Sequence, residues 1–112
     1  LNEVDLSGAI LKYADLSSCT FKEVKLSNAN LIGADLKDAF CSGIEIDEAN
    51  LEGADLTYAN LEGSNLTNSF FLEANLHGTN FTNANLSDAY LVDANIAKAI
   101  TKGANLENTI LQ

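Results

Sequence analysis

ANLEGADLTYANLEGSNL, running from Ala49 to Leu66, places a leucine at every fifth residue and a small residue two places before each one. A period of five suits neither regular structure. An α-helix turns once in about 3.6 residues, so it would carry residues five apart around by about 500° and smear the leucines over every face. A strand alternates faces and would send successive leucines to opposite sides. A chain that turns a corner once in five residues buries them together, because each corner resets the direction and lets every leucine point toward a common axis.

The pattern holds from end to end. Every fifth residue from Leu1 to Leu111 gives 23 centre positions: 16 leucines, Phe21, Phe71, Phe81, Ile46, Ile96, Cys41 and Thr101. Two residues before the centres lie 22 positions, 14 of them alanine and the rest Val4, Val24, Cys19, Ile44, Ser64, Ser69, Thr79 and Thr109. All 22 charged residues fall in the other three positions, so two residues of each five are expected to point inward. Proline is absent and no Ser/Gly-rich or charged run interrupts the repeat, so residues 1–112 are expected to form one domain.

The corner has its own chemistry. All seven glycines lie two after a centre, with Asn28, Asn68, Asn83, Asn108, Asp38, Asp88 and Asp93 at equivalent places, so 14 of 22 such sites hold a residue that tolerates φ > 0. The third position of a type II turn requires that conformation. Thirteen of the 22 residues just before a centre are Asp or Asn, and their short side chains are expected to brace the bend by accepting nearby backbone N–H groups. The same bracing is expected of Asp15, Asp35 and Asp55, ahead of cation binding.

With ANLEGADLTYANLEG as its clearest stretch, the chain resembles the pentapeptide-repeat family, whose motif is A(D/N)LXX, over its whole length. The resemblance implies an all-β fold, a right-handed four-sided (quadrilateral) parallel β-helix in which four pentapeptides make one coil and residues twenty apart stack. At about 4.8 Å between neighbouring strands, 112 residues give about 5.6 coils and a height of about 27 Å. No cap is recognisable, so both ends are expected to expose core and unpaired edges.

Sixteen acidic residues against six lysines and no arginine give a net charge of -10. That works against direct binding of nucleic acid or an anionic membrane and favours basic or apolar partners. No apolar run reaches the about 18 residues of a membrane span, and the opening LNEVDL lacks the pattern of a signal peptide. Cys19 and Cys41 occupy inward positions with their Cα atoms expected about 8 Å apart, beyond the roughly 7 Å a disulfide spans. Two free, buried thiols are therefore expected, in keeping with a cytoplasmic setting. His77 is expected on the surface, without a second histidine or a cysteine beside it. No P-loop, dinucleotide fingerprint, CxxC pair or HExxH occurs, and a convex solenoid is expected to offer no cleft. No catalytic, cofactor or metal site is expected, and no enzyme.

Sorting the outward residues by side separates unlike surfaces. The third side collects Ile10, Tyr13, Ile32, Phe70, Leu72, Tyr90, Val92 and Ile110. Phe70, Tyr90 and Ile110 stack there, flanked by Leu72 and Val92, and these five are the candidate interface for a protein partner or a second copy. Homodimerisation through the coil ends is the other expectation; cover by a terminal helix is the alternative use of the apolar side. The second side carries Asp5, Glu45, Asp47, Glu48, Asp88 and Glu107 against Lys25, half of the net charge on one flank, and is the candidate acidic recognition face.

Some pentapeptide-repeat proteins are similar to a DNA duplex in width and charge and bind DNA gyrase in its place, inhibiting it or protecting it from quinolones. A duplex carries one charge per about 1.7 Å, hence about 16 over 27 Å, against -10 here. The reading is therefore a non-enzymatic scaffold acting through protein association, with the acidic gyrase-binding DNA mimic as the alternative.

Overall fold

The computed structural model describes residues 2–111. One pentapeptide, Asn30 to Ala34, shows what holds it. Its five backbone N–H groups all have partners: Asn30 donates to Ala9 O at 2.9 Å, Leu31 to Asn50 O at 2.7 Å, Gly33 to Glu52 O at 2.9 Å and Ala34 to Leu31 O at 3.0 Å. The fifth, Ile32 N–H, donates to Asn30 Oδ1 at 3.2 Å. Three of these bonds reach the coil before or after, one closes the turn, and one is the bracing bond expected of the Asp/Asn position. Buried backbone groups must be paired somewhere, and here the quintet pairs its donors without a helix or an extended ladder.

The same unit repeats along the chain. Every β-bridge among the described residues is parallel and joins positions twenty apart, such as Asp15 with Asp35 and Asp35 with Asp55. Four pentapeptides therefore complete one coil. All 22 residues two after a centre have φ between 55° and 72°, and at most corners, as from Ala34 N–H to Leu31 O, a bond three residues back to the centre closes a type II turn; none joins Val24 to Phe21 or Ala49 to Ile46. All thirteen Asp/Asn residues before a centre accept the N–H two residues on, as Asp55 Oδ1 does from Thr57 at 3.0 Å and Asn60 Oδ1 from Glu62 at 3.0 Å. The sides are shorter than the strands expected: apart from the added Asn2–Lys22 bridge in the first two coils, each is a single bridged residue between two corners. Two residues of each five are used by the corner and two point inward, which leaves one to bridge.

The shaft is filled as the period requires. Centres and small residues from Phe21 to Leu91 are buried, with Leu31, Leu51, Leu56, Leu66, Phe71 and Leu76 fully so. Each such side chain contributes on the order of 2 kcal/mol. Phe71 and Phe81 meet edge to face at 6.4 Å. Three hydroxyls replace alanine inside without loss, because Ser64, Ser69 and Thr79 donate to Leu61 O, Leu66 O and Leu56 O at 2.6, 2.5 and 2.7 Å.

Burial weakens toward the ends. Leu6, Leu11, Leu16 and Cys19 are only partly buried. The expectation of two buried thiols thus holds for Cys41 and fails for Cys19, which is half-buried in the first described coil. Both are free. At the other end Ile96, Leu106 and Leu111 are 50, 45 and 58 % exposed. A cavity of about 320 Å³ opens there among Leu91, Ile96, Leu106 and Leu111, so the solenoid is not without concavities. Its principal extents are 31 × 24 × 21 Å.

Candidate protein-binding surface

The bracing position, just before each centre, is where the surface departs from its own rule. In the column that begins at Ile10, the brace is Asn30 and then Asn50, after which the sequence places Phe70, Tyr90 and Ile110. These three cannot supply the side-chain oxygen that Asn30 and Asn50 give to Ile32 and Glu52. Instead the Phe70 and Tyr90 rings stack, centroids 5.0 Å apart and planes 4° from parallel. Phe70 and Ile110 are each 39 % exposed, and Tyr90 is half-buried. Leu72 and Val92, also half-buried, occupy the neighbouring corner column one coil apart. The five apolar residues thus come together in consecutive coils, while Ile10 and Tyr13, exposed in the first coil, stand apart from them. A bracing position given up in three consecutive coils for exposed apolar groups points to a use beyond the fold.

The six acidic residues are less compact. Glu45, Asp47 and Glu48 share one coil, Asp88 lies two coils on in the Glu48 column with Asn68 between, and Glu107 one coil further, its carbonyl accepting Asp88 N–H at 2.9 Å. Asp5 is separated from them, since Lys25 bridges between Asp5 and Glu45. Asp47 Oδ1 accepts the Ser27 hydroxyl at 2.6 Å. Hydrogen bonds from the Ser7 side chain and N–H hold the Asp5 carboxyl below its ordinary value of 3.8.

Charge is distributed by height more sharply than by side. Between Lys37 and Lys98 there is no lysine or arginine, and residues 38–97 contain ten acidic residues; the six acids outside that stretch are matched by the six lysines. The whole net charge therefore sits on the sixty residues that form three middle coils. The one salt bridge among the described residues, Lys37 with Asp35 at 3.7 Å, is at their edge. This belt was legible in the sequence as a lysine gap, but sorting by side conceals it.

The acidic and apolar sets meet at one corner. There Asn28, Glu48 and Asn68, stacked twenty apart, line an open groove of about 470 Å³ together with Phe70 and Tyr90. The corner residues hold φ of 61°, 57° and 58°, so their Cα–Cβ bonds leave the backbone in the same geometry. Glu48 and Asn68 are exposed.

Other sequence candidates have quieter places. His77 is half-buried, its Nε2 3.2 Å from the Tyr58 hydroxyl and its ring edge-on to Tyr58 at 5.4 Å. Asp15, Asp35 and Asp55 each direct Oδ1 to their own turn N–H at 3.1, 3.0 and 3.0 Å. Among the described residues no group of His, Cys, Asp and Glu is arranged to hold a metal ion, and no helix is long and apolar enough to cross a membrane.

Comparison with solved structures finds a pentapeptide repeat protein, Rfr23, from the cyanobacterium Cyanothece 51142: 28% identity, 99% of this chain and 90% of that one covered, TM-score 0.95. A second, alr5209 from Nostoc PCC 7120, is 35% identical over 67% of this chain and 62% of that one, with a TM-score of 0.66. Such proteins are right-handed quadrilateral β-helices. No curated protein matches in sequence. The family profile described as Pentapeptide repeats matches residues 1–38, 37–71 and 74–112 in 8 copies, and the chain belongs to that family.

Proposed function

We propose that the chain is a non-enzymatic scaffold that acts by associating with another protein through its apolar column. The observation that carries this is the replacement of the bracing Asn by Phe70, Tyr90 and Ile110 in three consecutive coils, which leaves stacked aromatic rings at the surface. Exposed contiguous apolar area of this kind marks association surfaces. A homodimer through this side is one form of such association, and a different protein seated on it is the other. The test is crosslinking and light scattering of the wild type beside Phe70→Glu/Tyr90→Glu. A complex formed by the wild type and lost in the variant supports the reading, and a complex indifferent to both changes refutes it.

A second reading is an acidic DNA mimic that binds a type II topoisomerase, DNA gyrase, inhibiting it or protecting it from quinolones. The lysine-free belt favours it. Three coils at about 4.8 Å each span roughly 14 Å, so ten carboxylates give one charge per about 1.4 Å, close to the about 1.7 Å of duplex DNA. A supercoiling assay with purified gyrase at several salt concentrations tests it: the mimic gives salt-sensitive inhibition, and unchanged supercoiling at all salts excludes it.

A further inference from the structure

We infer that the groove between the Asn28–Glu48–Asn68 corner and the Phe70–Tyr90 stack binds an extended, lysine- or arginine-bearing protein segment, a basic side chain reaching Glu48 while an apolar neighbour lies against the rings. The inference rests on the association reading and names the partner's chemistry.

The two walls differ in kind. One offers two carboxamides and a carboxylate at the period of the coils, and the other two parallel aromatic rings. Carboxamides both donate to and accept from a peptide backbone, a carboxylate pairs with ammonium or guanidinium, and ring edges and faces take apolar side chains. An extended peptide presents these groups in alternation, side chains to opposite faces and backbone between.

Charge decides the sign of the partner. Glu48 lies inside the lysine-free stretch, and no basic group pairs with it among the described residues. Asp47 is tied to Ser27, whereas Glu48 extends from a corner and is exposed. A second copy of this chain laid against the same groove would bring another ten-carboxylate belt to it, with its lysines confined to the end coils. A basic segment meets the opposite field and is steered toward it.

The experiment is fluorescence anisotropy of a labelled synthetic peptide alternating lysine and arginine with leucine and tyrosine, beside a peptide with glutamate at each basic position. The wild type is expected to bind the basic peptide, more weakly as salt rises, and not the acidic one. Glu48→Lys and Tyr90→Ala are each expected to weaken binding by about tenfold or more, and Glu62→Lys, an equal charge change on another side, by no more than about twofold. Glu48→Lys keeps the corner conformation, since Lys98 holds the same turn position at φ 59°. Circular dichroism confirms folding of each variant. Equal weakening by Glu62→Lys and Glu48→Lys overturns the groove in favour of diffuse attraction to the belt, and absence of binding overturns it outright. In that last case, self-association of the wild type abolished by Phe70→Glu/Tyr90→Glu leaves the association reading standing with a second copy as the occupant.

Discussion

Phe70 and Tyr90, twenty residues apart in sequence, lie one above the other with ring planes 4° from parallel and centroids 5.0 Å apart. Their spacing follows from the coil, because a bridge joins the two residues directly. Stacked aromatic pairs of this kind are worth about 0.5–1.5 kcal/mol beyond the area they bury. A double-mutant cycle of Phe70→Ala and Tyr90→Ala in urea denaturation is therefore expected to show a coupling of about 0.5–1 kcal/mol. Coupling near zero would mean that the rings are held apart in solution and that the column is no preformed platform.

The corners make a second prediction. Eight of the 22 residues with positive φ are neither Gly, Asn nor Asp, among them Tyr58, Glu73 and Lys98. A left-handed conformation costs an ordinary residue roughly 1–2 kcal/mol. Glu73→Gly, compared with Glu73→Gln to subtract the charge, is expected to stabilise by about 0.5–1 kcal/mol after the greater chain entropy of glycine is offset. The reverse change, Gly63→Ala, meets no atom within 4 Å of the added Cβ at φ 66° and is expected to cost about 1 kcal/mol. Gly78→Ala should cost more, because its Cβ would enter the Tyr58 ring. Thermal melts of the four variants check the order.

These same residues show what the sequence could and could not reveal. Leu51, Leu56 and Leu61 announce the fold because an inward requirement leaves its mark in every quintet, and all three are buried. The spacing of five says that the chain bends, but not how many bends close a coil. That number came from the resemblance, and the bridges twenty apart bear it out. Tyr58 and Glu73 gave no sign of their left-handed corners, since inter-coil hydrogen bonding overrides local preference there. The apolar column was readable once twenty-residue stacking was assumed. The groove was not, because it depends on residues of two different columns, Asn28, Glu48 and Asn68 in one and Phe70 and Tyr90 in the other, lining one concavity.

Cys41 is expected to be chemically silent in the folded chain. Burial, with a smaller contribution from Cys19, pushes its thiol up from the ordinary 9.0 to about 12. The thiolate is the reactive species, so at mildly alkaline pH almost none is present, and the side chain is 2 % exposed. Iodoacetamide treatment followed by mass spectrometry should modify Cys41 only after denaturant unfolds the solenoid. Cys19, half-buried in the first coil, should react in the native protein. Equal labelling of both under native conditions would contradict the packing of the third coil.

Acid should expose the bracing bonds. Hydrogen bonds from the Ser17 hydroxyl at 2.6 Å and the Ser17 N–H at 3.1 Å hold the Asp15 carboxyl below its ordinary value of 3.8. A carboxylate whose folded value is depressed stabilises above its unfolded value and loses that stabilisation as pH falls through the folded one. The loss therefore begins near 3.8 and completes below it. Protonating the belt acts in the opposite direction, because it relieves repulsion among its carboxylates. The single-site effect must be read as a difference. Asn at position 15 retains the Oδ1 acceptor without the titration, as Asn60 shows. The gap in melting temperature between wild type and Asp15→Asn is expected to be constant from neutral pH to about pH 5 and to move against the wild type below about pH 4. A gap that stays constant through that range would mean that the Ser17 bonds do not distinguish the charged from the neutral carboxyl, and that the brace at this corner is geometric alone.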